Sequence, residues 1–233
     1  MDFGKAFSYV FEDEGWITKL LIGGLILLIP IVGALTVLGW ALEIGRRVAS
    51  GQESDILPDW SDFGTYLVRG LKAFVVMFVY ALPIIILEIC PITLTAMAQG
   101  MESQSMASIA QIINLLVSCV VFVYEIFLLI IAPAALMRFT MQGDDIKAGL
   151  AFGEIFSQVK ANLGVYVMVA LGQILAYFIG GLGIIACGIG LLFTVPYAYA
   201  VVGHFYGQAY REVEGGNIVD ATPAPAAGGD WTA

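Results

Sequence analysis

Residues 71–98 read LKAFVVMFVYALPIIILEICPITLTAMA, with Lys72 and Glu88 the only charges. A helix needs about 20 apolar residues to cross a hydrocarbon layer of roughly 30 Å. This run is longer than that. Comparable runs lie at Trp16 to Gly45, Ala107 to Met137, Leu163 to Gly181 and Gly183 to Tyr210. The whole chain agrees with its parts: of 233 residues, 60% are hydrophobic and 12% charged, and the mean hydropathy is +0.90. Soluble domains carry about 25% charged residues, so the sequence reads as an all-α, polytopic membrane protein. Its partner is the lipid bilayer.

Charge and cysteine content exclude several classes. The net charge is -9, and the longest basic run is Arg46-Arg47. A nucleic-acid surface needs a basic stripe, and a polybasic lipid anchor needs about four to eight clustered cations. Cys90, Cys119 and Cys187 all lie in apolar stretches without a C-x-x-C pair, which speaks against a zinc site or a disulfide framework. The N-terminus lacks the basic, short-apolar pattern of a cleaved signal peptide. Phosphate-loop, zinc-protease and dinucleotide motifs are missing. The expectation is a protein without enzymatic activity, metal or cofactor.

Topology follows from the basic residues, which favour the cytoplasmic side. The Trp16 to Gly45 run is too long for one upright span and too short for two. Pro30 and Gly33 mark a break in its middle. As a hairpin returning to its starting side, it puts all ten Lys and Arg on one face. As one tilted span, it moves Lys5 and Lys19 across. The hairpin is the preferred reading, and half-helices of about 14 residues reach only about 21 Å, so it is expected to be re-entrant. The expected architecture is four full spans plus this N-terminal hairpin, or six helices if the hairpin crosses. Both termini are then cytoplasmic, at the cell membrane.

One unit is expected three times, over about 1–50, 58–141 and 144–211: an amphipathic segment followed by an apolar helix pair. The amphipathic segments carry Phe3, Phe7, Val10 and Phe11; Phe63, Tyr66, Leu67, Leu71 and Phe74; and Phe152, Ile155, Phe156 and Val159. Spacings of three and four put each set on one helical face, suited to the membrane surface or to packing between spans. Residues 1–211 form one transmembrane domain in this reading. Residues 212–233, rich in Ala, Pro and Gly, read as a disordered tail.

Further stretches carry a family resemblance. They are Phe7-Ser8-Tyr9, Glu12-Asp13-Glu14, Trp16 and Lys19-Leu20-Leu21-Ile22-Gly23-Gly24. Leu57-Pro58-Asp59-Trp60 follows, continuing through Phe63-Gly64 to Arg69-Gly70-Leu71-Lys72-Ala73. Pro133-Ala134-Ala135-Leu136 and Gly207-Gln208-Ala209-Tyr210-Arg211 complete the set. With these the chain resembles the domain-of-unknown-function 4013 family of prokaryotic multi-pass membrane proteins, over residues 1 to about 212. The resemblance implies a multi-pass protein and no activity. Trp60 also suits a membrane–water interface.

Ionisable groups inside a bilayer cost roughly 2.5–3.5 kcal/mol at mid-helix and are candidate functional groups. Counted from Lys72 and from Arg138, Glu88 and Glu125 fall at similar depths on antiparallel helices. Two close carboxylates do not both ionise cheaply, so they would share a proton. Gln173 is expected at the same level. His204 is expected near a cytoplasmic vestibule as a proton relay, or as a packed interfacial histidine. Gly172, Ala176 and Gly180 form a small-residue face for close helix packing. The first functional reading is a small transport or permease-like module with Glu88 and Glu125 on the path. The alternative is a membrane-organising or accessory subunit that docks a protein partner or a second copy, and a lipid-modifying enzyme is a third reading.

Overall fold

The computed structural model describes residues 1–100, 103–186 and 188–220. The elements are helical: α1 (Phe3–Ser8), α2 (Trp16–Leu27), α3 (Val32–Ala49), α4 (Phe63–Gly100), α5 (Gln104–Met141), α6 (Ile146–Gly149), α7 (Phe152–Ala161), α8 (Leu163–Gly181) and α9 (Leu191–Asp220). Short 3-10 turns occupy Tyr9–Glu12, Trp60–Asp62 and Leu182–Ala186. Among the described residues, three helical stretches are long and apolar enough to cross a membrane: Trp60–Gly100, Gln104–Met141 and Leu163–Ile185.

The Trp16 to Gly45 run is two helices. Leu27 ends α2, and Pro30 and Ile31 turn the chain into α3. Ile31 has φ +65°, a conformation that β-branched residues rarely adopt.

The core forms around α3, whose buried residues point in every direction and include Val37, Trp40, Leu42, Ile44 and Val48. A helix apolar all round belongs inside. It packs against α2, α4, α5 and α9, and missing side chains make the approach possible. A Cβ on Gly39 would strike the Tyr66 carbonyl, and one on Gly70 the Leu35 carbonyl. On the other side, Gly203 of α9 lies against the Ala41 carbonyl. The small-residue face of α8 is likewise internal: Gly172 meets the Phe205 ring and Gly180 meets Ala198 of α9.

The Leu57 to Trp60 stretch clamps this core. Leu57 is buried. Trp40 Nε1 donates to the Pro58 carbonyl at 3.0 Å, and Trp60 Nε1 to the Lys19 carbonyl at 2.7 Å. The two indoles stack with centroids 5.0 Å apart. Trp60 thus ties α2 to α3.

The amphipathic segments divide. The second is the first part of α4, continuous with the apolar run in one helix that carries Pro83 and Pro91 within it. In the first, Phe3 and Phe7 pack edge-on against Phe205, so the aromatic face meets α9. In the third, Ile155 and Val159 are buried while Phe152 and Phe156 are exposed. The chain also stays helical past 211, to Asp220. The rest of the expected tail, 221–233, lies outside the described residues, as do Glu102 and Cys187.

The α4–α5 hairpin outreaches the rest. Each helix has 38 residues, about 57 Å at 1.5 Å per residue. The buried positions of α4 are concentrated up to Tyr80, with only Pro91 and Ala98 beyond. Those of α5 begin at Ile131, with only Ala110 before it.

Gly39→Ala and Gly70→Ala each push a methyl into a carbonyl of the neighbouring helix. Overpacking of this kind costs about 1–3 kcal/mol. Each variant should therefore unfold at lower temperature in detergent. Gly64→Ala, with open space around its Cβ position, should not.

Candidate functional site

Antiparallel packing collects one polar end of the bundle: the start of α2, the end of α3, the start of α4, the end of α5 and the α6–α7 region. Here Glu43 of α3 is 5% exposed and Arg69 of α4 is 7% exposed. Arg69 Nη1 donates to Glu43 Oε2 at 2.6 Å, and Arg46 grips the same carboxylate through Nε at 2.8 Å and Nη2 at 2.6 Å. Arg47 adds a contact at 3.2 Å and donates to the Asp55 carbonyl at 2.6 Å. Arg69 Nε also reaches both Asp144 oxygens, at 2.9 and 3.1 Å. Asp144 takes a left-handed φ of +59°, which short polar side chains tolerate.

Burial alone raises the pKa of Glu43. The hydrogen bonds and charges of Arg46 and Arg69 outweigh it and hold the carboxyl down to about 2. With its carboxylate fully engaged, the cluster is an ionic lock between α3, α4 and the α5–α6 turn. It presents no free nucleophile or base. Glu43 was legible as an acid three and four residues before Arg46 and Arg47, inside an apolar run. Its pairing with Arg69 and Asp144 depends on the tertiary fold.

The residues expected to carry function lie apart. Tyr124 of α5 donates to the Tyr80 carbonyl at 3.0 Å, which fixes the hairpin register. By that register Glu125 is level with the region of Val79, and Glu88 lies about nine residues, or roughly 13 Å, farther out. The equal-depth expectation fails because Lys72 and Arg138 are not level. Glu125 is exposed on the outer face. Glu88 shares a cleft of about 330 Å³ with Thr95, Gln99 and Asn114.

Gln173 is buried and satisfied within the bundle. It accepts from Tyr206 Oη at 2.8 Å and donates to the Leu129 carbonyl at 3.2 Å. His204, 3% exposed, stacks on Tyr9 with centroids 4.5 Å apart and meets Gln208 through Nδ1 at 3.0 Å. It forms part of the wall of an open cavity of about 700 Å³ at the polar end, with Asp2, Lys5, Gln52, Gln208 and Arg211. Among the described residues, no cluster of three or more His, Cys, Asp or Glu is placed to hold a metal.

Compared with known families, residues 22–204 match the one described as "Protein of unknown function (DUF4013)". No curated protein and no solved structure matches the chain.

Removing Arg69 leaves Glu43 buried beside fewer cations. Breaking a buried pair costs about 3–5 kcal/mol, so Arg69→Met should destabilise strongly in denaturant titration in detergent. Glu43→Met combined with Arg69→Met should recover much of the loss. The depressed pKa of Glu43 also sets a pH window. Its contribution is present above the unfolded carboxyl value near 4.5 and is lost as pH falls through about 2. Thermal midpoints across that range should fall more steeply for the parent than for Glu43→Gln.

Proposed function

The chain belongs to the DUF4013 family of proteins of unknown function, and we propose that it serves as a membrane-organising or accessory subunit rather than as a permease or an enzyme. Helices α4, α5, α8 and α9 are the four crossings. The α2–α3 hairpin enters from the polar end, and both termini are cytoplasmic at the cell membrane. Ten basic residues gathered on that end support this orientation.

The observation that carries the reading is the placement of the intramembrane polar groups. A conduction path needs such groups to line one shared wet cavity. Gln173 is instead bonded to neighbouring helices, His204 is stacked and bonded in place, and Glu125 faces outward. Interhelical bonds such as those of Gln173 are worth about 0.6 kcal/mol on average, a packing role. The same placement speaks against the permease-like reading that the sequence put first, in which Glu88 and Glu125 line one path.

Purified protein in liposomes holding a pH-sensitive dye tests the choice. Proton flux should equal that of protein-free vesicles, and native mass spectrometry of gently extracted protein should show an assembly larger than one chain. Flux above background that Glu88→Gln with Glu125→Gln abolishes would reverse the assignment.

A further inference from the structure

We propose that α7 is a contact site for anionic phospholipid. Phe152 and Phe156 sit among the acyl chains of the leaflet at the polar end, and Lys72, Lys147 and Lys160 meet the phosphates at its surface. The proposal goes beyond the assembly role above and holds with or without a protein partner. Three observations converge on it.

The first is the division of α7 into three faces. Ile155 and Val159 are buried against the bundle. Phe152 and Phe156, four residues apart and so on one face, are 52% and 55% exposed. Glu154, Ser157 and Ala161 lie on the opposite flank. They line a cleft of about 460 Å³ with Arg138 of α5 and Glu214 of α9. One flank is therefore polar and turned toward the charged end of α9, and the other is aromatic. A helix so divided suits a membrane interface, with its apolar face sunk about 5–10 Å.

The second is level. The Phe152 and Tyr80 rings pack edge-on with centroids 4.9 Å apart, and Tyr80 Oη donates to the Gly149 carbonyl at 3.2 Å. Tyr80 lies about 12 Å beyond Lys72 along the apolar run of α4. The other end of α7 leads into Leu163, the first residue of a stretch able to cross a membrane and itself 51% exposed. Both ends of α7 are thus tied to places where spans begin. At this level α4 also exposes Phe74 and Phe78. An outward aromatic face where spans enter the membrane meets hydrocarbon.

The third is charge. Lys5, Lys19, Arg46, Arg47, Arg69 and Arg138 are held in ion pairs. Lys72, Lys147 and Lys160 have no acidic partner among the described residues, and all three border α7. Lys160 stands one turn after Phe156 on the same face. Lys147 belongs to α6, which runs beside the turn of α4 that carries Lys72: Asp144 before it is held by Arg69, and Gly149 at its end meets Val76. The nearby Asp145 caps α6, accepting from the Lys147 N–H at 3.0 Å. Lysine stems lie along apolar surface while their ammonium groups reach the headgroups. Three cations fall short of the roughly four to eight of a polybasic anchor. They select the headgroup for a helix that apolar contact already holds.

The test uses the full chain with Cys90→Ser, Cys119→Ser and Cys187→Ser, in vesicles of phosphatidylcholine alone or mixed equally with phosphatidylglycerol. Lipid spin-labelled in its acyl chain should quench a dye on Phe156→Cys roughly three times as strongly as one on Ser157→Cys. In native mass spectrometry the parent should retain phosphatidylglycerol over phosphatidylcholine. Lys72→Gln with Lys147→Gln and Lys160→Gln should cut that preference about tenfold or more, at an unchanged melting temperature. Equal quenching at the two positions, no preference in the parent, or a preference that survives the triple substitution overturns the proposal. A dye on Phe156→Cys reached neither by lipid nor by aqueous iodide overturns lipid in favour of a second copy.

Discussion

A helix buried on all sides must satisfy whatever charge it carries, and α3 carries Glu43. The carboxylate is held by Arg46 and Arg47 from its own helix and by Arg69 from α4. Arg69 in turn holds Asp144 beyond α5. Through these contacts the end of α3, the start of α4 and the turn after α5 are fixed to one another. The glycines at the α3 crossings then set the close spacing of the helices, and the Trp40–Trp60 stack closes the side toward α2. The polar end is thus ordered by ionic and hydrogen-bonded contacts. Away from it, apolar packing dominates, with a few hydrogen bonds such as Tyr124 to the Tyr80 carbonyl and Thr194 to the Gly180 carbonyl.

That division explains the contrast between the two halves of the α4–α5 hairpin. Near the polar end each helix meets α3, α8 or α9 and buries Tyr66, Ala73 and Val76 on α4 and Ala134 to Met137 on α5. Farther out, among the described residues, the two helices pack mainly on each other. The chain therefore combines a packed domain with an outrigger whose surface suits either lipid or another helix.

The sequence exposes the class of fold because hydrophobicity in a membrane is a one-dimensional signal. The Leu163 to Gly181 helix matches its expected bounds, and Pro30 marks the hairpin break. Amphipathic spacing was less informative. Periodicity shows that Phe3 and Phe7 share a face, but not that the face meets Phe205 rather than lipid. The same spacing continues from Phe63 into the apolar run without a break, so helix continuity there is set by the absence of a stop signal. Depths counted from basic residues misplace Glu88 against Glu125, since the register of a hairpin is set by side-chain contacts such as Tyr124 to Tyr80. The cluster around Glu43 is hidden in the sequence for a similar reason: its tertiary partners lie 26 residues away in Arg69 and, through Arg69, 75 farther in Asp144.

Those separations also impose a timetable on synthesis. Glu43 leaves the ribosome before Arg69, and Arg69 well before Asp144. During that interval the carboxylate has Arg46 and Arg47 from its own helix, one turn away, which follow it almost at once. The adjacent arginines act as a temporary escort that keeps the charge matched until Arg69 is made. Tyr9 waits far longer, since the Ala200 carbonyl it donates to is made 191 residues later. The N-terminal segment is the first part translated and among the last to reach its final seat.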